Sequence, residues 1–208
     1  MDFNFKQELN RKLIHLSSSI YPIAYLFLSK PVMITIIAVL FVAILFWDIA
    51  RLKKINLKII TMFSGFVREK ESAKLTGATY FLAAILLVIV LFPKDIAIIS
   101  MFVLIFCDTA AALFGKAFGK TKIKGTNKSL VGFIAFIAVG FIIMIIYLNT
   151  GEFFINPRFN NIVDISAYLL VFIPVIIAGL VELYSDKIRI DDNFSITLTI
   201  AICLYILL

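Results

Sequence analysis

Asp108 stands well inside an apolar run, in Cys107-Asp108-Thr109-Ala110-Ala111-Ala112-Leu113-Phe114-Gly115-Lys116-Ala117-Phe118-Gly119-Lys120. A carboxylate among so many apolar side chains is costly in lipid and calls for a partner or a function. Asp108, Ala112, Gly115 and Gly119 are spaced four, three and four apart, so one helix face carries a carboxylate and then a strip almost free of side chains. Such a strip admits either a second helix or a bulky ligand. The segment that follows holds Lys116, Lys120, Lys122, Lys124 and Lys128 with Gly119, Gly125, Asn127 and Ser129. Glycines let phosphates approach the backbone, lysines neutralise them, and a carboxylate oxygen can ligate Mg²⁺ or another divalent cation. The spacing is not that of a Walker A loop, because three residues rather than four separate Gly115 from Gly119-Lys120-Thr121. Arg11-Lys12-x-x-His15 opens the first apolar run, and Glu182 with Asp186, Asp191, Asp192 and Asn193 closes the sixth. Charge alone sets these expectations. Asp108, Asp191 and Asp192 are candidate metal ligands, and Lys120 and Lys128 candidate phosphate holders beside Gly115, Gly119 and Ser129. Arg11 and Lys12 read as snorkelling basic anchors or as catalytic cations, and His15, Glu182 and Asn193 are further candidates.

Composition decides what can position these residues. Of the 208 residues, 62% are hydrophobic and 16% charged, with a mean hydropathy of +1.05. Soluble domains run near 45–50% and about 25%, so a water-soluble fold and a disordered chain are both excluded. The expected fold is all-α, a single integral membrane domain over 1–208. Apolar runs fall near 13–28, 32–47, 75–92, 96–114, 130–148, 165–183 and 194–208. They predict seven transmembrane helices of close to the roughly 20 residues a bilayer needs, the shorter ones crossing with local thinning. Residues 48–72 are too polar to cross, and their apolar residues recur at helical spacing, which predicts a cytoplasmic interfacial helix. Pro31 suits the first turn of the second span, and Pro174 is expected to kink the sixth. Cys107 and Cys203 lie inside apolar runs and read as small buried hydrophobes. Asp2 and Glu8 interrupt any basic leader, so no cleavable signal peptide is expected.

Seventeen of the twenty Lys and Arg residues precede the first span or fall in alternate loops, leaving Lys30, Lys94 and Arg158 on the other side. By the positive-inside rule the N-terminus is cytoplasmic and the C-terminus outside. The net charge of +7 therefore belongs to one cytoplasmic face, suited to anionic lipids or phosphates. A nucleic-acid partner is not expected, since nearly all of the chain is needed to span. The candidate groups above all end on that face, where a soluble nucleoside triphosphate and a lipid headgroup meet. The outer halves of the third to fifth spans carry few polar residues, which argues against the continuous path of a small transporter.

Asp108-Thr109-Ala110-Ala111 with Gly115 and Gly119-Lys120, then Asn127-Lys128-Ser129-Leu130 and Gly132, resembles the central motif of the diacylglycerol/polyprenol kinase family. That family includes CTP-dependent diacylglycerol kinases, dolichol kinases and phytol kinases, and is related to CDP-diglyceride synthases. Arg11-Lys12-x-x-His15, and Glu182 with Asp191-Asp192-Asn193-Phe194, are similar to its terminal signatures, so the resemblance covers nearly the whole chain. Dolichol- and phytol-kinase-like members tend to carry glutamate where Val131 stands, which brings the resemblance nearer the diacylglycerol kinase branch. It implies a lipid kinase that moves the γ-phosphoryl group of a nucleoside triphosphate, with CTP as donor, to a lipid alcohol such as diacylglycerol or a polyprenol. A CDP-lipid-forming cytidylyltransferase would use similar parts and is the neighbouring alternative.

Overall fold

Lipid offers a backbone no hydrogen-bond partner, so apolar runs must close their own bonds as helices. A computed structural model of the chain describes residues 3–55, 72–154, 165–188 and 190–207. Its described helices are α1 (Phe3–Ser17), α2 (Ile20–Phe27), α3 (Lys30–Leu52), α4 (Gly77–Leu91), α5 (Lys94–Phe118), α6 (Leu130–Phe154), α7 (Ile165–Ile188) and α8 (Asp192–Leu207). By length and composition, α3, α5 and the 130–149 part of α6 can each cross a membrane. α4, the 170–185 part of α7, and α8 are apolar but shorter.

Two expected boundaries are corrected. The run at 13–28 is divided at Ser18-Ser19 into α1 and α2. Pro22 has no N–H for the Ser18 carbonyl, which accepts from the Tyr21 N–H at 3.0 Å instead. The Ser17 hydroxyl donates to the Ile14 carbonyl at 2.6 Å, covering a carbonyl at the end of α1. The second correction concerns the interfacial segment. Its first residues, 48–52, continue α3 to Leu52, while 56–71 lie outside the described residues. α7 runs through Pro174 as one helix.

α5 is the spine of the bundle. It packs against α1, α2, α4, α6 and α8, and 72% of its membrane-length window is buried, against 17% for α3 and 28% for α6. α6 can lie this close because Gly140 stands between Cys107 of α5 and Val175 of α7. A Cβ there would come within 2.4 Å of Val175 and 3.4 Å of Cys107. Cys107 is accordingly buried and Cys203 half-buried, both as free thiols. The outward surface is apolar, with Phe27, Val39, Phe46 and Ile206 exposed, as a lipid-facing wall requires.

The two ends of the bundle are tied differently. At one end the Lys94 ammonium donates to the Leu26 and Leu28 carbonyls, both at 3.0 Å, and the Lys30 ammonium to Phe92 O at 3.1 Å. Two of the three basic residues that depart from the sidedness pattern are thus used on carbonyls at helix C-termini. At the other end Asp48, fully buried at the close of α3, accepts from the Thr76 N–H at 2.8 Å and from the Thr76 and Thr79 hydroxyls at 2.9 and 2.6 Å. Arg51 completes the set at 2.8 Å and reaches the Lys74 carbonyl at 2.6 Å. Asp48 thereby caps the first turn of α4 from a neighbouring helix, work a cap residue normally does for its own helix. Asp48→Ala should leave the buried donors of Thr76 and Thr79 unpaired, at a cost of about 2–4 kcal/mol. Thermal unfolding in detergent checks this: a clear fall in Tm is expected, with Asp48→Asn between Asp48→Ala and wild type.

Candidate active site

The site is built where α1, α5, α7 and α8 converge with the lysine-rich connection between α5 and α6. α1 brings Lys12 and His15 one turn apart to the flank of α5 that carries Asp108. Lys12 is 1% exposed, and its ammonium donates to Asp108 Oδ2. His15 Nε2 lies 3.4 Å from the same oxygen, and its ring meets Phe81 of α4 edge-on at 5.3 Å. A buried carboxylate is tolerable only when paired and hydrogen-bonded, and this one has two cationic or polar partners from a single helix turn.

Residues 119–129 form a miniature hairpin. Lys122 and Ser129 are bridged antiparallel, and Ile123 N–H bonds Lys128 O at 3.0 Å. The turn over Ile123–Thr126 places Gly125 at φ 81°, a left-handed conformation that glycine adopts without cost. The hairpin carries Lys120, Lys122 and Lys124 exposed to solvent and swings Lys128 inward. Lys128 donates to Glu182 of α7, which is 2% exposed, and lies 3.7 Å from Asp192 Oδ2 of α8. Burial presses the Lys128 pKa down, but Glu182 and Asp192 more than offset this and the net shift is upward. Asp191 caps α8: its Oδ1 accepts the Asn193 N–H at 3.1 Å and the Asn193 side-chain amide at 2.9 Å. Burial and the like charge of Asp192 nevertheless push Asp191 up to about 6.

The two groups form one electrostatic unit. The charge of Asp108 adds to the upward shifts of Lys128 and of Asp191. The structure therefore gathers Lys12, His15, Asp108, Lys128, Glu182, Asp191, Asp192 and Asn193 at one end of the bundle. It places the other expected residues elsewhere. Arg11 pairs with Glu8 on its own helix. Lys120 stays on the outer face of the hairpin. Gly115, Gly119 and Ser129 close the crossing of α5 and α6. The Ser129 hydroxyl accepts the Gly132 N–H at 3.0 Å and caps α6. A Cβ on Gly119 would lie 2.4 Å from Ser129, and one on Gly132 would lie 2.7 Å from Ala111 O. The bare strip after Asp108 is thus filled by α6, and its glycines serve helix packing.

The donor set sets terms for a divalent cation. Among the described residues no three His, Cys, Asp or Glu side chains gather into a metal-binding group, so no all-protein cage exists there. The adjacent carboxylates of Asp191 and Asp192 at the start of α8, with the Lys128 ammonium 3.7 Å from Asp192, fit the other mode, in which Mg²⁺ takes one or two carboxylates and completes its shell from phosphates and water.

Asp48 was missed by sequence reading, which placed it at the head of a surface segment. The signal was present in Asp48-x-x-Arg51 and Thr76-x-x-Thr79, two i,i+3 pairs that can face each other only if both helices end together.

The chain is similar over most of its length to several known proteins. An uncharacterized protein of Rickettsia prowazekii is 31% identical over 204 residues, 95% of this chain and 92% of its own length. The protein named CTP-dependent diacylglycerol kinase 1 of Saccharomyces cerevisiae is 30% identical over 94% of this chain and 71% of its own. Its namesake in Eremothecium gossypii is 28% identical over 98% and 68%. No family model and no solved structure matches the chain.

Lys128→Met would leave the buried Glu182 carboxylate without its cation. Removing one partner of a buried pair costs about 3–5 kcal/mol, and partial exposure of Lys128 sets the expected loss near the lower end. The Tm in detergent should fall for Lys128→Met and recover in large part in Lys128→Met/Glu182→Gln.

Proposed function

We propose that this chain, which belongs to the family of CTP-dependent diacylglycerol kinases, transfers the γ-phosphoryl group of CTP to the free hydroxyl of diacylglycerol at the cytoplasmic face of a membrane. The observation that carries the reading is the 30% identity to the S. cerevisiae CTP-dependent diacylglycerol kinase 1 across 94% of this chain. Val131, in place of an acidic residue before Gly132, favours diacylglycerol over a polyprenol as acceptor.

Seven crossings, N-terminus inside and C-terminus outside, are supported by how the helices are tied. Lys12 meets Asp108 while Leu26 and Leu28 meet Lys94, so 12–28 runs antiparallel to 94–108, over about 21 Å at 1.5 Å per residue. Asp48 meets Thr76 and Lys30 meets Phe92, which aligns α3 with α4 over a similar depth. Tyr147 OH donates to Asp95 at 3.3 Å, and the Tyr205 ring meets Phe92 at 5.7 Å, returning α6 and α8 to the same outer end. On this arrangement Lys120, Lys122 and Lys124 face the cytosol and the anionic headgroups of the inner leaflet.

In the reaction the lipid hydroxyl gives its proton to Asp108 as its oxygen forms a bond to the γ-phosphorus, the bond from that phosphorus to the β–γ bridging oxygen breaks, and CDP leaves. Catalysis of this kind rests on positioning and charge. Lys128, now shared between Glu182 and Asp192, turns to the phosphates. Lys12, with Arg11 and Lys120 at the rim, neutralises charge on the transferring group. Asp108 accepts a hydrogen bond from the acceptor hydroxyl and, with His15 against it, orients the oxygen for attack. Asp191 and Asp192 would hold Mg²⁺ carried in with the nucleotide, which supplies charge neutralisation on the β- and γ-phosphates when bound.

Purified protein with diacylglycerol, Mg²⁺ and CTP should move γ-phosphate label, and not α-phosphate label, into the lipid. Recovery of α-label would establish the cytidylyltransferase chemistry instead. Absence of both labels with every triphosphate would remove the kinase reading.

A further inference from the structure

A pocket of about 230 Å³ lies where the hairpin turn meets the end of α7, lined by Gly125, Thr126, Asn127, Leu183 and Lys187. None of these residues is used by the chemistry above, yet the pocket shares both its walls with the phosphate-binding lysine. Asn127 precedes Lys128, and Leu183 follows Glu182, the partner of Lys128. Leu183 and Lys187 are four residues apart and so present one face of α7 to the turn. Lys187 lies across the Tyr184 ring at 5.4 Å, with its ammonium 3.1 Å from where a Gly125 Cβ would stand. The glycine thus makes the turn and leaves room for that cation. Thr126 is spent inside the turn, donating to Ile123 O at 3.1 Å and accepting the Lys128 N–H at 3.3 Å. Recognition is left to an amide, a cation and one apolar wall.

That chemistry excludes acyl chains, and the volume lies below the roughly 300–1,000 Å³ of a site for a whole drug-sized ligand. It suits one flat ring with donors and acceptors on its edge, tethered to phosphates a residue away. We propose that the pocket receives the pyrimidine ring of the nucleotide donor, Leu183 against the ring face and Asn127 and Lys187 on its polar edge. The phosphates then run along Lys128, and the Lys187 ammonium can donate to the ring carbonyl that cytosine carries and adenine lacks, which favours CTP over ATP. The inference rests on the kinase reading above and adds the determinants of donor choice to it.

The test uses the full chain in mixed micelles with diacylglycerol, comparing wild type, Asn127→Ala and Lys187→Gln. Both side chains are exposed, so folding is not at stake, and monodispersity confirms it. Each variant should raise KM for CTP by about tenfold, the loss of one good polar contact, and narrow the preference for CTP over ATP. Inhibition by inorganic tripolyphosphate, which has no ring, should keep its Ki within about twofold of wild type. An unchanged KM for CTP in both variants overturns the pocket, and so does a tripolyphosphate Ki that rises in step with KM, which would make it a phosphate site. An active wild type with either result leaves the kinase reading standing, whereas a wild type without γ-transfer removes both.

Discussion

A carboxylate at the centre of a buried helix must be neutralised, and the pairing of Asp108 with Lys12 is the contact on which the rest of this bundle depends. Asp108 sits on the most enclosed helix, and Lys12 comes from the first, separated from it by nearly half the chain. Desolvating two charges is expensive and is offset only by close geometry and further bonds. His15 adds the further contact from the same turn of α1. The pairing fixes the depth of α1 against α5. The Lys94 bonds to Leu26 and Leu28 then fix α2 at the far end, and the break at Ser18-Ser19 lets both be satisfied. Helix placement and the geometry of the polar cluster are set by one interaction, because the residues that hold α1 in place are members of that cluster.

The same economy recurs around Lys128. The hairpin that carries it is held by its own turn and by Ser129, which caps α6 and fills the space left by Gly115 and Gly119. The glycines of the motif therefore act at one remove. They let α6 approach α5, which aims the hairpin, which points Lys128 at Glu182 and Asp192. Lys12 and Lys128, the two inward lysines, are each held by a carboxylate, so their positive charge is already oriented.

Much of this was legible in the sequence. Membrane class followed from composition. Asp108 stood out as a charge inside an apolar run, Lys12, His15 and Glu182 as polar groups at the ends of runs, and Lys128 as part of the lysine-rich loop between two of them. Partnerships were harder to read. Lys12 looked like a basic anchor on a positive-inside flank, and nothing in its neighbours shows that it turns inward to Asp108, since that pairing spans 96 positions. The helix break needed the combination of paired serines with Pro22, a local signal hidden in a long apolar run. Asp48 was hidden by its place at the edge of a polar segment, where an acid ordinarily meets water. Gly115 and Gly119 were ambiguous because bare helix faces serve ligands and helices equally, and only the position of Ser129 decides between them.

The central claim is that Lys12 and Asp108 are a buried, mutually dependent pair. Thermal unfolding in detergent of Lys12→Met, Asp108→Asn and the double variant tests it most directly. Each single change leaves a buried group unpaired and should cost about 3–5 kcal/mol. The double change removes both charges, so most of the lost stability should return, giving a large favourable coupling. Single variants as stable as wild type, or a double variant whose loss equals the sum of the two, would contradict the account.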